Sequence, residues 1–274
     1  MNSPEHSGAT GGGRVRFRDL PNDSTAKILV VATLVCIVCA VLVSSAAVLL
    51  RPIQERNALL ARQRYILEVA GLPLGPGQAV EQAFGQVEPH LVELDSGEYL
   101  ESGDAIGFDI AKASREPGTS RALGPDEDLA KIHRRPDAMP VFLVRGDAGI
   151  ETVVLPVHGY GLWSTMYGYV ALDGRGERVK GITFYSHGET PGLGAEIENP
   201  GWQSQWRGKR TLGEDGSVLL SVSKGSPSPE QADYHIDAIS GATLTSDGVN
   251  NMIHFWLGEQ GFGPYLARLR SGGG

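Results

Sequence analysis

The chain has 274 residues, 41% hydrophobic and 20% charged, enough for one large core or two small ones once tails and any membrane segment are set aside. A net charge of −8 argues against a nucleic-acid-binding surface, because neutralising phosphates takes clustered Lys and Arg. The two cysteines, Cys36 and Cys39, lie in an apolar run outside the globular part, so this chain alone can build neither a disulfide framework nor a cysteine-ligated zinc or iron–sulfur site there.

Residues 1–23 are rich in Gly, Ser and Arg without periodicity and are expected to form a disordered tail. Residues 28–50 form an uncharged run between Lys27 and Arg51. At about 1.5 Å per residue it reaches roughly 34 Å, slightly more than a hydrocarbon core of about 30 Å. The run therefore predicts one transmembrane helix anchored in lipid; it is longer than a signal-peptide core, although Ser44 to Ala47 would suit cleavage. Arg14, Arg16, Arg18 and Lys27 precede it, and Arg51, Arg56, Arg62 and Arg64 follow, so the positive-inside count is a tie and sets no orientation. Cys36 and Cys39 share a helix face, as half of a metal site shared with another membrane protein or as two small apolar residues at a lipid or helix interface.

Pro52 marks the exit of the span, and residues 54–70 carry a helical apolar pattern that stops at Gly71-Leu72-Pro73. Residues 75–140 are rich in Gly, Pro and Asp and are expected to hold only short helices and loops. From Pro140 the character changes. Segments 141–144, 152–157, 165–172, 179–185 and 218–222 are strand-like, and Asp173-Gly174-Arg175-Gly176 reads as a hairpin turn. Residues 245–257 have helical spacing, with Gly258 past their end. The expected class is α+β: a transmembrane helix over 28–50, a helical or irregular part over 51–139, and a domain over 140–270 with a twisted antiparallel sheet and packed helices.

Two strings can carry chemistry. In the first, Asp237-Ala238-Ile239-Ser240-Gly241-Ala242-Thr243, small residues let the backbone approach a bulky ligand, and a helix begins within a residue or two of Thr243. Its N-terminal N–H groups and dipole would favour a phosphate esterified to the Thr243 hydroxyl. The plain alternative is that Thr243 or Thr245 is a helix cap. In the second, Glu189-Thr190-Pro191-Gly192-Leu193-Gly194, the backbone can lie against a flat ring, with Leu193 on its face and Thr190 at its edge. A structural Pro-Gly turn would look the same. Neither string is a dinucleotide or P-loop fingerprint.

Together these strings resemble the NqrC family, the covalent FMN-binding component of the sodium-translocating NADH:quinone oxidoreductase, over nearly the whole chain. The family's flavinylation motif, an Asp, two variable residues, Ser or Thr, Gly, Ala and Thr, matches Asp237 to Thr243, with Ser240, Gly241 and Ala242 in the turn. The loop matches at Glu189, Thr190, Gly192, Leu193 and Gly194; Gly161-Leu162-Trp163-Ser164 and, more loosely, Lys224 resemble other flavin-neighbouring positions. The paralogous flavin-bearing component of the Rnf electron-transport complex shares the motif and the loop, but the Trp163 segment, the long 54–140 region and the ending from Gly258 to Leu266 favour NqrC.

The resemblance implies FMN attached to Thr243 through a phosphoester, a flavin transferase that uses FAD as donor, and an electron relay among flavin- and iron–sulfur-bearing subunits in the bacterial inner membrane, with the FMN domain on the periplasmic side. Trp163 would flank the ring or sit in the core, and Lys224 would stabilise the reduced flavin's charge or be a solvated lysine. His158 and His187 flank the proposed site, or are ordinary hydrogen-bonded residues. No Ser-His-Asp or Cys-His arrangement that would activate Thr243 is evident, and Asp237 would help the transferase or simply cap its turn. No catalytic residue and no metal site is expected in this chain. A membrane-anchored flavoprotein working without a complex is the alternative from another class.

Overall fold

The computed structural model describes residues 21, 24–147 and 149–272, so the tail expected over 1–23 lies almost wholly outside the described residues. Two compact units divide at Arg56/Asn57. The first holds most of the apolar helix. This helix, α1 (Thr25–Val69), is the single one among the described residues long and apolar enough to cross a membrane, with a stretch of mean hydropathy 2.9. Its apolar side chains from Ile28 to Leu50 are exposed, as are Cys36 and Cys39. Pro52 lies inside α1, so the span and the helical pattern after it are one element. Proline removes one backbone donor and crowds the preceding turn, yet it does not end the helix here.

In the second unit, α2 (Val80–Phe84) leads into β1 (Val87–Glu93), followed by α3 (Ile110–Arg115), β2 (Ser120–Ala122) and β3 (Arg134–Pro136). Four long strands come next: β4 (Ala138–Gly146), β5 (Gly149–Tyr160), β6 (Thr165–Asp173) and β7 (Val179–Ser186). The main sheet is antiparallel throughout, in the order β1-β4-β5-β6-β7. The β6–β7 hairpin turns at Asp173–Gly176, as its turn residues require. Strand β1 lies within the stretch read as short helices and loops, so the sheet begins well before residue 140. Its Pro89 is tolerable because β1 is an edge strand, where a missing N–H costs no ladder bond on the solvent side.

Period-2 alternation explains why β4 to β6 are nearly continuous apolar runs. Val141, Leu143, Val153, Leu155, Val170 and Leu172 face one cluster, while Phe142, Val144, Val154, Tyr169 and Ala171 face another. The second cluster is covered by Ile66, Leu67, Val69 and Ala70 at the end of α1 together with α2. The first is covered by α5 (Thr243–Leu257) and α6 (Gly263–Arg270), through Val249, Met252, Ile253, Trp256 and Leu266. The class is thus α+β, an antiparallel sheet with helices on both faces.

Between β7 and α5 run a 3-10 turn (Gly194–Glu198), α4 (Pro200–Ser204), β8 (Ser221–Ser223) and β9 (His235–Asp237). The β8–β9 pair is parallel, an exception to the antiparallel expectation. It covers only part of the run read as a strand over 218–222. Gly258 does end α5, but with extended φ; a side chain there would meet the His254 carbonyl at 2.5 Å.

Candidate functional site

The two strings form turns of the same kind. In Thr190–Leu193 the Leu193 N–H reaches the Thr190 carbonyl at 3.1 Å, and in Ile239–Ala242 the Ala242 N–H reaches the Ile239 carbonyl at 3.1 Å. In each, the third residue is a glycine in the left-handed region, Gly192 at φ +73° and Gly241 at φ +78°. A type II turn asks for this at that position, with Pro191 pre-set at the second position of the first turn. The turns touch: a Cβ on Gly241 would lie 3.3 Å from Leu193 Cδ2. Segments some fifty residues apart in sequence are thereby folded into one patch.

Thr243 is the first residue of α5 and is exposed. Its side chain makes no hydrogen bond among the described residues, and the cap residue, Ala242, offers no side-chain acceptor. The capping alternative therefore fails for both threonines, since Thr245 is buried and bonded elsewhere. The uncapped N–H groups of the first turn remain available to an anion. Ser246 tightens the turn from within the helix, its Oγ accepting from Ile239 N at 2.9 Å and donating to the Ala242 carbonyl at 3.0 Å.

Glu189 does more than its sequence position suggested. Its carboxylate is buried and accepts from Leu162 N at 3.1 Å, Trp163 N at 3.0 Å and Thr245 Oγ1 at 2.5 Å. Burial pushes this carboxyl up, but the four donors Thr245, Trp163, Leu162 and Ser164 outweigh burial and hold it below its usual value. One side chain thus clamps the Gly161–Ser164 turn, the loop and α5 together. Close packing reinforces the clamp: a Cβ on Gly194 would lie 2.5 Å from Thr245 Oγ1, and one on Gly248 2.6 Å from the Tyr160 carbonyl. Gly188 N donates to Ser164 Oγ at 2.6 Å.

Around Thr243, four large apolar side chains stay in solvent: Trp163 is 65% exposed, Leu244 59%, Leu193 45% and Leu162 39%. Trp163 is therefore not core. The other three tryptophans are buried, and Trp202 Nε1 fixes the end of β9 by donating to the Asp237 carbonyl at 2.8 Å. An apolar rim, an exposed hydroxyl and an uncapped helix start suit a flat ring carrying a phosphate.

The remaining candidates sit less centrally. Ser240 and Thr190 are exposed at the turns, and the Thr190 carbonyl also accepts from Ala195 N. Lys224 is exposed one residue past β8 and lines a cavity of about 380 Å³ with Ser223 and His235. Asp237 points not at Thr243 but at His235, whose Nε2 lies 3.0 Å from Asp237 Oδ1 and whose Nδ1 lies 3.0 Å from Ser223 Oγ. A Ser–His–Asp chain does exist away from Thr243, assembled by the parallel register that sets Ser223 opposite Asp237. It makes no hydrogen bond to Thr243 among the described residues. His187 Nδ1 accepts from Glu189 N at 3.1 Å, and His158 is buried under Trp256 and Tyr167.

A family model described as FMN-binding domain matches residues 161–258, the span that holds every one of these turns. The chain is 49% identical to the NqrC component of the Na(+)-translocating NADH-quinone reductase of Yersinia pestis, covering 92% of this chain and 95% of that one. To the corresponding component of Pseudomonas aeruginosa it is 46% identical, over 91% and 98% of the two chains. The chain belongs to the NqrC family of the Na(+)-translocating NADH-quinone reductase. The crystal structure of Shewanella oneidensis NqrC superimposes with a TM-score of 0.72 at 37% identity, covering 80% of this chain and 99% of that one. The NqrC crystal structure from Parabacteroides distasonis gives a TM-score of 0.60 at 28% identity, over 80% and 96%.

Proposed function

We propose that this chain is the electron-relay subunit of a Na⁺-translocating NADH:quinone reductase, an oxidoreductase complex, and that it carries FMN as a phosphoester on Thr243. The observation that carries the reading is the placement of an exposed, unbonded threonine hydroxyl at the uncapped start of α5, beside a glycine turn packed on Leu193. When bound, the flavin supplies one- and two-electron chemistry. This chain's residues would do the rest. The first-turn N–H groups of α5 hold the phosphate, Trp163 and Leu193 border the ring, Thr190 and Ser240 offer edge hydrogen bonds, and Glu189 fixes the geometry of all three segments. Lys224, on the β8 side, would complement charge on the reduced ring.

The domain division follows the same logic: a lipid-spanning segment over 28–50, an N-terminal part of the extramembrane domain over 51–139, which lends β1 to the sheet, and the FMN-binding domain over 140–270. We place residues 28–50 of α1 as a single pass of the bacterial inner membrane and the FMN domain on the periplasmic side. The partners are the flavin- and iron–sulfur-bearing subunits of the complex and, for maturation, an external flavin transferase. Such a transferase is needed because the Ser223–His235–Asp237 chain does not reach Thr243.

The test is intact-mass and peptide mass spectrometry of the full chain made with its transferase. One added FMN phosphoryl unit on the peptide holding Thr243 is expected; an unmodified mass overturns the attachment. Recovery of the chain alone from native membranes, without other subunits, would favour a stand-alone flavoprotein.

A further inference from the structure

A second concavity lies between α3, the loop over 128–133, the start of β3 and the strands β5 and β6. It encloses about 480 Å³. Arg115, Lys131 and Arg134 line it, and no carboxylate does. Arg115 and Lys131 form no ion pair among the described residues. Arg134 spends two of its five N–H donors on Ser120, through Nε to Oγ and Nη2 to the carbonyl, which leaves three. Such a cluster is unusual on a chain of net charge −8. An unneutralised basic hollow attracts anions from solution and can bond them at several donors.

The loop that carries Lys131 is built, not slack. Lys131 at φ +53° and His133 at φ +63° are the only non-glycine residues with positive φ among the described residues. The Asp128 carboxylate holds them there, accepting from Ile132 N and His133 N at 2.8 Å each. Strained backbone of this kind persists where the surroundings impose it, and it collects at binding sites.

A further wall residue points to a ligand. His158 is 3% exposed and lines the cavity; its Nδ1 is sealed from solvent, which leaves Nε2, unbonded among the described residues, as the nitrogen a ligand can reach. Polar groups of buried side chains are nearly always satisfied, so the unbonded Nε2 calls for a partner. Burial pushes this ring down to about 3, so it is neutral and offers one donor or one acceptor without adding charge. Ile132, Tyr160 and Tyr167 make the rest of the wall largely apolar.

We propose that this cavity binds a small amphipathic anion, a phosphate or carboxylate head on an apolar body, at a site separate from the flavin cradle. The head meets Arg115, Lys131 and the spare donors of Arg134; the body lies on Tyr167 and Ile132. The site adjoins the cradle, because the Tyr160 hydroxyl donates to the Trp163 carbonyl at 3.4 Å.

The experiment is calorimetric titration of the full-length flavinylated chain in neutral detergent with phenyl phosphate, benzoate, inorganic phosphate and benzyl alcohol. Phenyl phosphate and benzoate should bind, inorganic phosphate more weakly, and benzyl alcohol not measurably. The double variant Arg115→Gln/Lys131→Gln, both exposed side chains, should weaken phenyl phosphate by roughly tenfold or more. Ala111→Phe, which fills the apolar side and keeps every charge, should weaken phenyl phosphate but spare inorganic phosphate. A short-chain phosphatidic acid below its micelle concentration separates a lipid source from a soluble one: tighter binding than phenyl phosphate assigns a lipid head, equal or weaker binding a free metabolite. Absence of anion binding overturns the proposal, as does equal affinity of the parent and the double variant. Binding of an acidic peptide alone, with none of phenyl phosphate, also overturns it in favour of a protein partner. None of these outcomes depends on whether Thr243 carries flavin.

Discussion

Thr245 Oγ1 donates to Glu189 Oε2 at 2.5 Å, joining residues 56 apart in sequence beneath the exposed Thr243. The other oxygen of the same carboxylate takes the N–H groups of Leu162 and Trp163. Because its donors outweigh burial, the native carboxyl titrates below its ordinary 4.5. A depressed acid contributes stability that is present above the unfolded value and is lost as the pH falls through the native one. Glu189→Gln should therefore cost about 1–3 kcal/mol at pH 7. Chemical denaturation at pH 7 and below pH 4 should show the gap between parent and variant narrowing in acid; a constant gap would reject the clamp.

Thr243 and Thr245 are two residues apart and should behave oppositely. Thr243→Ala removes an exposed hydroxyl without a bond, so stability should change by less than about 0.5 kcal/mol. Fluorescence of the denatured band on a gel should nevertheless vanish. Thr245→Ala should keep the fluorescent band and lose about 1–3 kcal/mol, because it strips a buried carboxylate of a donor. A fluorescent Thr243→Ala band would end the assignment of the attachment site.

Gly248→Ala tests the packing behind the cradle. The new methyl would sit 2.6 Å from the Tyr160 carbonyl and 3.0 Å from Gly161 Cα, both backbone atoms that cannot swing away. Helix α5 must move, at a cost of about 1–3 kcal/mol. The melting temperature should fall, and the yield of covalent flavin with it.

His158 should govern part of the acid sensitivity. Its native ring is pushed down to about 3 by burial, whereas an unfolded histidine titrates near 6.5. Between these values only the unfolded chain takes up the proton. Stability is therefore full above about pH 6.5 and falls toward pH 3, by about 1.4 kcal/mol per unit from this group. His158→Phe should flatten the slope of unfolding free energy against pH in that window. An unchanged slope would show that the ring protonates in the folded state.

Trp163→Ala should be silent for folding, within about 0.5 kcal/mol, because the side chain is 65% exposed. If the indole borders the flavin, native-state flavin fluorescence should rise once that quenching ring is gone. Equal emission from parent and variant would move Trp163 away from the cofactor.

Much of this was legible because the signals are local. The Asp173–Gly176 turn announced the β6–β7 hairpin, and the spacing of Val249, Met252, Ile253 and Trp256 announced α5. Gly192 and Gly241 marked turns that only glycine closes easily. What stayed hidden depends on pairing across the chain. Strand β1 contains Pro89 and His90 and earns its place only by docking on β4 some fifty residues later. Pro52 looked like a boundary and lies within a helix. Glu189 read only as the first residue of the flavin loop, since nothing in its surroundings reveals that Thr245 and two backbone N–H groups converge on it. Ser223, His235 and Asp237 sit on two strands whose parallel register no spacing rule announces.

The four apolar side chains left in water beside Thr243 set how an electron could travel. A redox group tethered there would need no tunnelling route through the interior, since its ring edge would already lie at the outer boundary of the fold. The gap to the next carrier would then be fixed by how closely a neighbouring protein seats on Trp163, Leu193 and Leu244, and the speed of transfer would be a property of that seat rather than of this chain alone.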